Sequence, residues 1–200
     1  GRDLYPTIKA NISRPEVFDK SPIPFETILQ IGYASTEGSG HFSEYVPYFR
    51  KRPDLIKKFC RPGYDGESGF YVKCWPGWRK KVDAERLKMA QGKIEIPIKR
   101  SFEYASDIVE AHLFDRRKVI YASVQNTGLI PNLPQTGVVE VAVDVDRRGF
   151  TPTYFGPLPE QCAALNRSNM AVFELCVQGV LNRDRESMVG DFVDMAHRIL

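Results

Sequence analysis

Residues 137–146 read GVVEVAVDVD, and within them Val139, Val141, Val143 and Val145 alternate with Glu140, Ala142, Asp144 and Asp146. A period of two belongs to a strand with one buried and one wetted face. Glu140, Asp144 and Asp146 are therefore read as the wet side of a sheet. Arg147-Arg148-Gly149 follows as a turn, and Phe150 to Phe155 can return as the antiparallel partner. Upstream, Lys118 to Val124 reads as a further strand, and VQNTGLIPNLP (124–134) as the loop that leaves it.

Outward from this sheet the apolar period changes to 3.6. From Pro159 it runs through Cys162, Leu165, Met170, Phe173, Val177 and Val180 until Asn182, and a last helix is expected from Asp184 to Arg198. Ser101 is a plausible N-cap for a helix to Asp115, with Phe102, Ala105, Val109 and Leu113 spaced to face a core. Pro76 suits the start of a surface helix that Gly92 ends, and Pro53 to Cys60 forms a short one. Pro24 suits the first turn of a helix with Phe25, Ile28 and Leu29 as its buried stripe and Gly32 as its stop. Residues 1–6 read as strand and turn, 11–24 as an irregular proline-broken crossing, and 61–74 as a loop. The sum is an α+β fold: a small, mainly antiparallel sheet packed on several helices, one domain over residues 1–200.

A 42% hydrophobic share in 200 residues can bury a real core. Lys plus Arg number 28 against 25 Asp plus Glu, interspersed, so charge makes no case for nucleic acid or membrane as partner. Arg50-Lys51-Arg52 and Arg79-Lys80-Lys81 read as solvated faces. Cys60, Cys74, Cys162 and Cys176 show no Cys-x-x-Cys spacing and are expected to be free thiols. With no signal peptide and no apolar run of about 18 residues, a cytoplasmic protein is expected. The chain starts without methionine, which suggests a part of something longer.

Polar groups concentrate in TEGSGHFSEYVPYFRKRP, residues 36–53. Proton removal and the binding of several hydroxyls both need side chains that donate and accept, held near a glycine-rich turn that lets a substrate approach. Glu37, Ser39, His41, Glu44 and Tyr45 have those types. His112 and His197 lie in expected helices and read as ordinary packed histidines.

GYASTEGSGHFSEYVPYFRKRPDLI (32–56), SFEYASDIV (101–109), VQNTGLIPNLP, GVVEVAVDVD, the return strand and GPLPEQCAALNRSNMAVFELCVQGVLNRDR (156–185) occur in one order. That order resembles the C-terminal portion of glycoside hydrolase family 4, nearest its α-galactosidase and α-glucosidase branch. The resemblance implies a fold like the C-terminal domain of lactate and malate dehydrogenases. It also implies a reaction outside the two-carboxylate scheme of most glycosidases: NAD oxidises the C3 hydroxyl, a divalent metal, usually manganese, holds the C2 and C3 oxygens, and a base removes the C2 proton before elimination and water addition.

By the same resemblance His41 is the catalytic candidate, as sugar ligand or proton carrier. Glu37, Ser39, Glu44, Tyr45 and Glu103 are candidate substrate-binding residues, and Asn126 a candidate cofactor contact beside the nicotinamide or the sugar. Plainer alternatives stay open: His41 could sit in a surface loop and merely bond its neighbours, Glu44 and Tyr45 could anchor the next helix, Glu103 could answer a helix dipole, and Asn126 could close its own loop as an Asx-turn. Gly38-Ser39-Gly40 lacks the third glycine and the βα context of a dinucleotide turn. None of the four cysteines matches the family's metal-ligand motif, so no metal ligand is assigned here. The main NAD and Mn2+ residues are expected in an N-terminal Rossmann domain of the same protein, and this chain alone is expected to be inactive. A homo-oligomer is expected, as is common in the family. Other substrates stay open: 6-phosphoglycosides, with Arg50, Lys51 and Arg52 near enough for a phosphate clamp, or α-galacturonides and α-glucuronides, whose carboxylate an arginine could hold. The competing class is a non-catalytic oligomerisation or structural fragment.

Overall fold

The structure, a computed structural model, describes residues 3–96, 98–99, 103–186 and 188–190, apart from the Ser39 side chain. The sequence alone suggests one domain over 1–200. The backbone gathers into two compact units, Gly1–Arg86 with Ala171–Leu200, and Leu87–Met170.

The second unit holds the sheet. Strands β1 (Lys118–Gln125), β2 (Val138–Asp146) and β3 (Gly149–Pro152) pair antiparallel in the order β1-β2-β3. Ile120 faces Val143, Ala122 faces Val141 and Val124 faces Val139, so the apolar positions of two strands share one side. Val139, Val141, Val143 and Val145 are all buried, as the alternation requires. They form a core with Ile120, Ile130, Leu133, Ala111 of helix α7 (Ala105–Phe114) and Ala163 of helix α8 (Glu160–Asn182). The α+β class and the hairpin follow the sequence reading.

Helix faces follow it less well. Val109 and Leu113 are exposed, and α7 instead turns Ile108 and Ala111 to the sheet. Small Ala111 permits the close approach. Along α8 the expected stripe is largely solvent-facing: Phe173, Val177 and Val180 are exposed, while Ala163 and Val172 are buried. Ser101, Phe102 and residues 191–200, His197 included, lie outside the described residues, and with them most of the expected last helix.

The first unit begins with α1 (Tyr5–Asn11), α2 (Pro15–Phe18) and α3 (Pro22–Ile31). Neither the strand expected at 1–6 nor the irregular crossing at 11–24 is seen. Pro15 and Pro22 stand in the first turns of their helices, where the N–H that proline lacks has no intrahelical partner anyway. In α3 Ile23, Thr27 and Ile28 are buried and Leu29 is exposed, because the helix starts two residues before Pro24. Gly32 ends it in the left-handed region at φ 88°, taking the Ile28 carbonyl. The polar stretch is not a turn throughout: Gly38 is extended and residues Ser39–Tyr45 form α4. Helix α5 (Pro53–Phe59) lies where expected, and a 3₁₀ turn occupies Gly63–Asp65. Helix α6 spans Phe70–Ala90 with Pro76 inside rather than at its start. No residue of α6 is buried, in line with a surface helix. Among the described residues no helix is long and apolar enough to cross a membrane. Cys60, Cys74, Cys162 and Cys176 are free.

Candidate functional site

A cavity of about 190 Å3 opens in the first unit between α4, the 63–69 loop and the start of α6. Gly40, His41, Glu44, Tyr64, Glu67 and Tyr71 are among its walls. Gly63, Gly66 and Gly69 take φ values of 78°, 111° and 70°, which side chains other than glycine rarely adopt. They fold the loop tightly enough to bring Tyr64 and Glu67 opposite α4. Gly40 makes the closest approach, since a Cβ there would strike the Tyr64 carbonyl and lie 3.3 Å from the Gly66 nitrogen.

His41 is held on three sides. Its Nδ1 lies 3.3 Å from Glu37 Oε2, one helical turn earlier, which leaves Nε2 uncommitted to that pair. The imidazole stacks on Tyr71 at 6.1 Å between centroids with 11° between planes, and meets Tyr64 edge-on at 5.3 Å. The Glu37 N–H donates to Ser35 Oγ, so the carboxylate hangs from a turn that is itself tied down. A carboxylate bonded to one imidazole nitrogen orients the ring, the arrangement from which a histidine moves protons.

The other walls are acidic and phenolic. Glu67 accepts from the Gly63 N–H at 2.8 Å and pairs with Lys73, and these bonds hold its carboxyl below the ordinary glutamate range. Partial burial, then Glu37 and Glu44, push the Tyr45 phenol above its ordinary value, so it keeps its proton at neutral pH. Burial does the same to Tyr71, helped by a hydrogen bond with Tyr64. Neither lysine nor arginine lines the cavity among the described residues.

Of the residues singled out from the sequence, His41 and Glu44 line the cavity and Glu37 reaches it through His41. Tyr45 ends α4 beside Glu37 and Glu44. Ser39 opens α4, and its side chain lies outside the described residues. The other two candidates belong to the second unit. Glu103 is exposed and stands before α7, not in its first turn, because the helix begins at Ala105. Asn126 is buried, its Nδ2 donating to the carbonyls of Ile130, Leu133 and Pro134 at 3.0–3.1 Å and its Oδ1 accepting from the Ile130 N–H at 3.0 Å. Its side chain closes the loop, and that arrangement leaves no polar atom to offer a cofactor. Asn132 is likewise occupied, with the Leu158 backbone and Glu160.

Tyr64, Glu67 and Tyr71 are absent from the sequence reading, which treats 61–74 as a plain loop. A signal was there in Gly63, Gly66 and Gly69: glycine at every third position marks a backbone bent for close approach. As for metals, no group of three or more His, Cys, Asp or Glu side chains that could hold an ion occurs among the described residues.

Comparison with known proteins extends the picture. Residues 1–193 match the family described as the family 4 glycosyl hydrolase C-terminal domain. An alpha-galactosidase of Bacillus subtilis (strain 168) is 37% identical over 191 residues, covering 94% of this chain and 43% of that protein. An alpha-galactosidase of Rhizobium meliloti (strain 1021) is 34% identical over 173 residues, 84% of this chain and 35% of that one. The chain thus spans less than half the length of these curated relatives. A solved 6-phospho-alpha-glucosidase from gut microorganisms, in complex with NAD and Mn2+, superposes with a TM-score of 0.68 at 18% identity, over 100% of this chain and 46% of that one, a likeness of fold. A family match that runs nearly end to end, on a chain whose sheet and helices take the same fold, has one meaning: this chain belongs to glycoside hydrolase family 4, as its C-terminal domain.

Proposed function

We propose that the protein carrying this domain is a glycosidase for neutral α-galactosides, with α-glucosides as near alternatives, and that the cavity beside α4 is its part of the sugar pocket. The observation that carries the reading is the lining: His41 braced by Glu37, flanked by Glu44, Glu67 and two tyrosines, with neither lysine nor arginine lining the cavity among the described residues. Carboxylates and phenols accept from and donate to sugar hydroxyls. Among the described residues no lysine or arginine lines the cavity to grip a C6 phosphate or carboxylate, so the lining weighs against phosphoglycosides and uronides. The 37% identity to an alpha-galactosidase points the same way.

In this reading the enzyme uses NAD and a divalent metal, which together supply reversible oxidation at C3 and acidify the C2 hydrogen. The described residues do not fit either group, having neither a metal cluster nor a glycine-rich βα phosphate turn, and we place those sites elsewhere in the protein. This domain's own share follows from its side chains. Glu37 fixes the His41 ring through Nδ1, so Nε2 can bind a sugar hydroxyl or take a proton. Glu44 accepts from a hydroxyl. The exposed aromatic rings of Tyr64 and Tyr71 offer apolar surface to the sugar's C–H groups. The same reading places the enzyme in the cytoplasm, where free thiols persist, and assembles it as a homo-oligomer.

The test is the full-length protein with NAD and Mn2+ on nitrophenyl glycosides, plain, 6-phosphorylated and uronic. The plain α-galactoside is expected to be cleaved fastest, and His41→Ala to lower turnover by about 10²-fold while the melting temperature barely moves. A fastest rate on a phosphorylated or uronic substrate, or full activity in H41A, defeats the reading.

A further inference from the structure

We infer that Arg50 is a positioning residue that sets the width of this cavity, and that it is not a clamp for an anionic sugar. The inference rests on the cavity being the sugar site. Arg50 follows α4, and its side chain is only 8% exposed. Its Nε donates to Ser43 Oγ at 2.8 Å, its Nη1 to Ser68 Oγ at 3.2 Å and its Nη2 to the Gly66 carbonyl at 3.1 Å. The same Nη2 lies 3.5 Å from Glu44 Oε1. Ser43, itself buried, donates on to the Gly40 carbonyl at 2.6 Å.

One planar guanidinium therefore joins both walls. Ser43 and Glu44 belong to α4, while Gly66 and Ser68 flank Glu67 on the facing loop. The walls also approach closely at Gly40, where a Cβ would strike the Tyr64 carbonyl and lie 3.3 Å from the Gly66 nitrogen. The rigid fork and this close backbone approach leave the gap between Glu44 and Glu67 little freedom. Each nitrogen of the fork has a protein partner, so no face of the guanidinium is left for a bidentate grip on a phosphate or carboxylate. Lysine cannot substitute, because a single ammonium on a flexible stem does not reproduce three fixed directions.

The test uses the full-length enzyme with NAD and Mn2+. Arg50→Lys and Arg50→Ala are each expected to lose about tenfold or more in kcat/KM on the plain α-galactoside, since displacing a wall by an ångström costs on that order. The ratio of plain to 6-phosphorylated or uronic activity should stay at the wild-type value. Recovery of activity by lysine would mean that charge alone matters and would overturn the inference. So would a selective loss of a charged substrate in R50A, the mark of a clamp. Should either variant fail to fold, Ser68→Ala removes a single contact from the exposed loop, and unchanged kinetics there would also overturn it. H41A separates the two ideas: if it is impaired while R50K is not, only the role of Arg50 falls, and if both are fully active the pocket itself is wrong.

Discussion

The Asn126 side chain makes four hydrogen bonds inside the loop of residues 126–137, all of them to backbone. Replacing it by alanine strands the Ile130 N–H and leaves the carbonyls of Ile130, Leu133 and Pro134 without that donor. Each unsatisfied buried group costs about 1–3 kcal/mol, so Asn126→Ala should destabilise by about 3 kcal/mol or more in denaturant unfolding of the intact protein. A loss below about 1 kcal/mol would show that water or a backbone shift replaces the amide. The residue was visible in the sequence as an amide beside a glycine in a loop, but type and spacing cannot tell an inward amide from an outward one. That depends on loop carbonyls converging on it. His41 and Glu37 were easier, because four residues across a helix start put two side chains within reach whenever the helix forms. Gly40 carries a second expectation at this scale. Gly40→Ala should cost about 1–3 kcal/mol by overpacking against the Tyr64 carbonyl, and thermal unfolding compared with a Gly77→Ala control, another helical glycine where a Cβ meets nothing, would isolate the clash.

At the scale of the element, β2 was legible because its pattern has one meaning: four valines at alternate positions fit a one-sided sheet and no helix. α6 was not, because proline is permitted at a helix start and merely costly within one. Gly69 supplies the earlier start, its carbonyl accepting from the Lys73 N–H at 3.1 Å. The helix faces of α7 and α8 were misassigned for a related reason: apolar spacing locates a stripe but not what covers it. The outer side of the sheet supports a pH prediction. Arg117 grips Asp144 through two bonds of 2.8 Å, and this holds the Asp144 carboxyl below its ordinary value of 3.8. A carboxylate whose folded pKa is lowered stabilises the fold above its unfolded pKa and loses that contribution as pH falls through the folded value. The melting temperature of wild type should thus exceed that of Asp144→Asn by a constant amount from neutral pH down to about pH 5, and the two should converge as pH falls through the lowered folded value. The pair is exposed, so raising salt should shrink the gap. A gap that does not narrow as acid is added would place the effect in packing.

On the scale of the whole molecule, the sheet has a packed core and the cavity beside α4 is small. Its cavity of about 190 Å3 is smaller than the roughly 300–1,000 Å3 that usually encloses a small ligand. It is lined from the first unit alone, and the chain amounts to 43% of the curated relative's length. Apolar side chains on α8, Phe173, Val177, Val180 and Leu181, stand exposed where the sequence pattern anticipates burial. Under the proposed function this wall needs a facing body before it can enclose a sugar. Residues 1–200 expressed alone should then fold, with the far-ultraviolet signature of an α+β protein, and yet release no nitrophenol from the plain α-galactoside above the uncatalysed rate, even with NAD and Mn2+ present. Full-length protein under the same conditions should turn over. The isolated domain should also bind a hydrophobic dye more strongly, and Phe173→Glu with Val180→Glu should reduce that binding without restoring activity. Hydrolysis by the isolated domain within tenfold of the full-length rate would mean that the wall is already a complete site, and the division of labour argued from its lining would have to be abandoned.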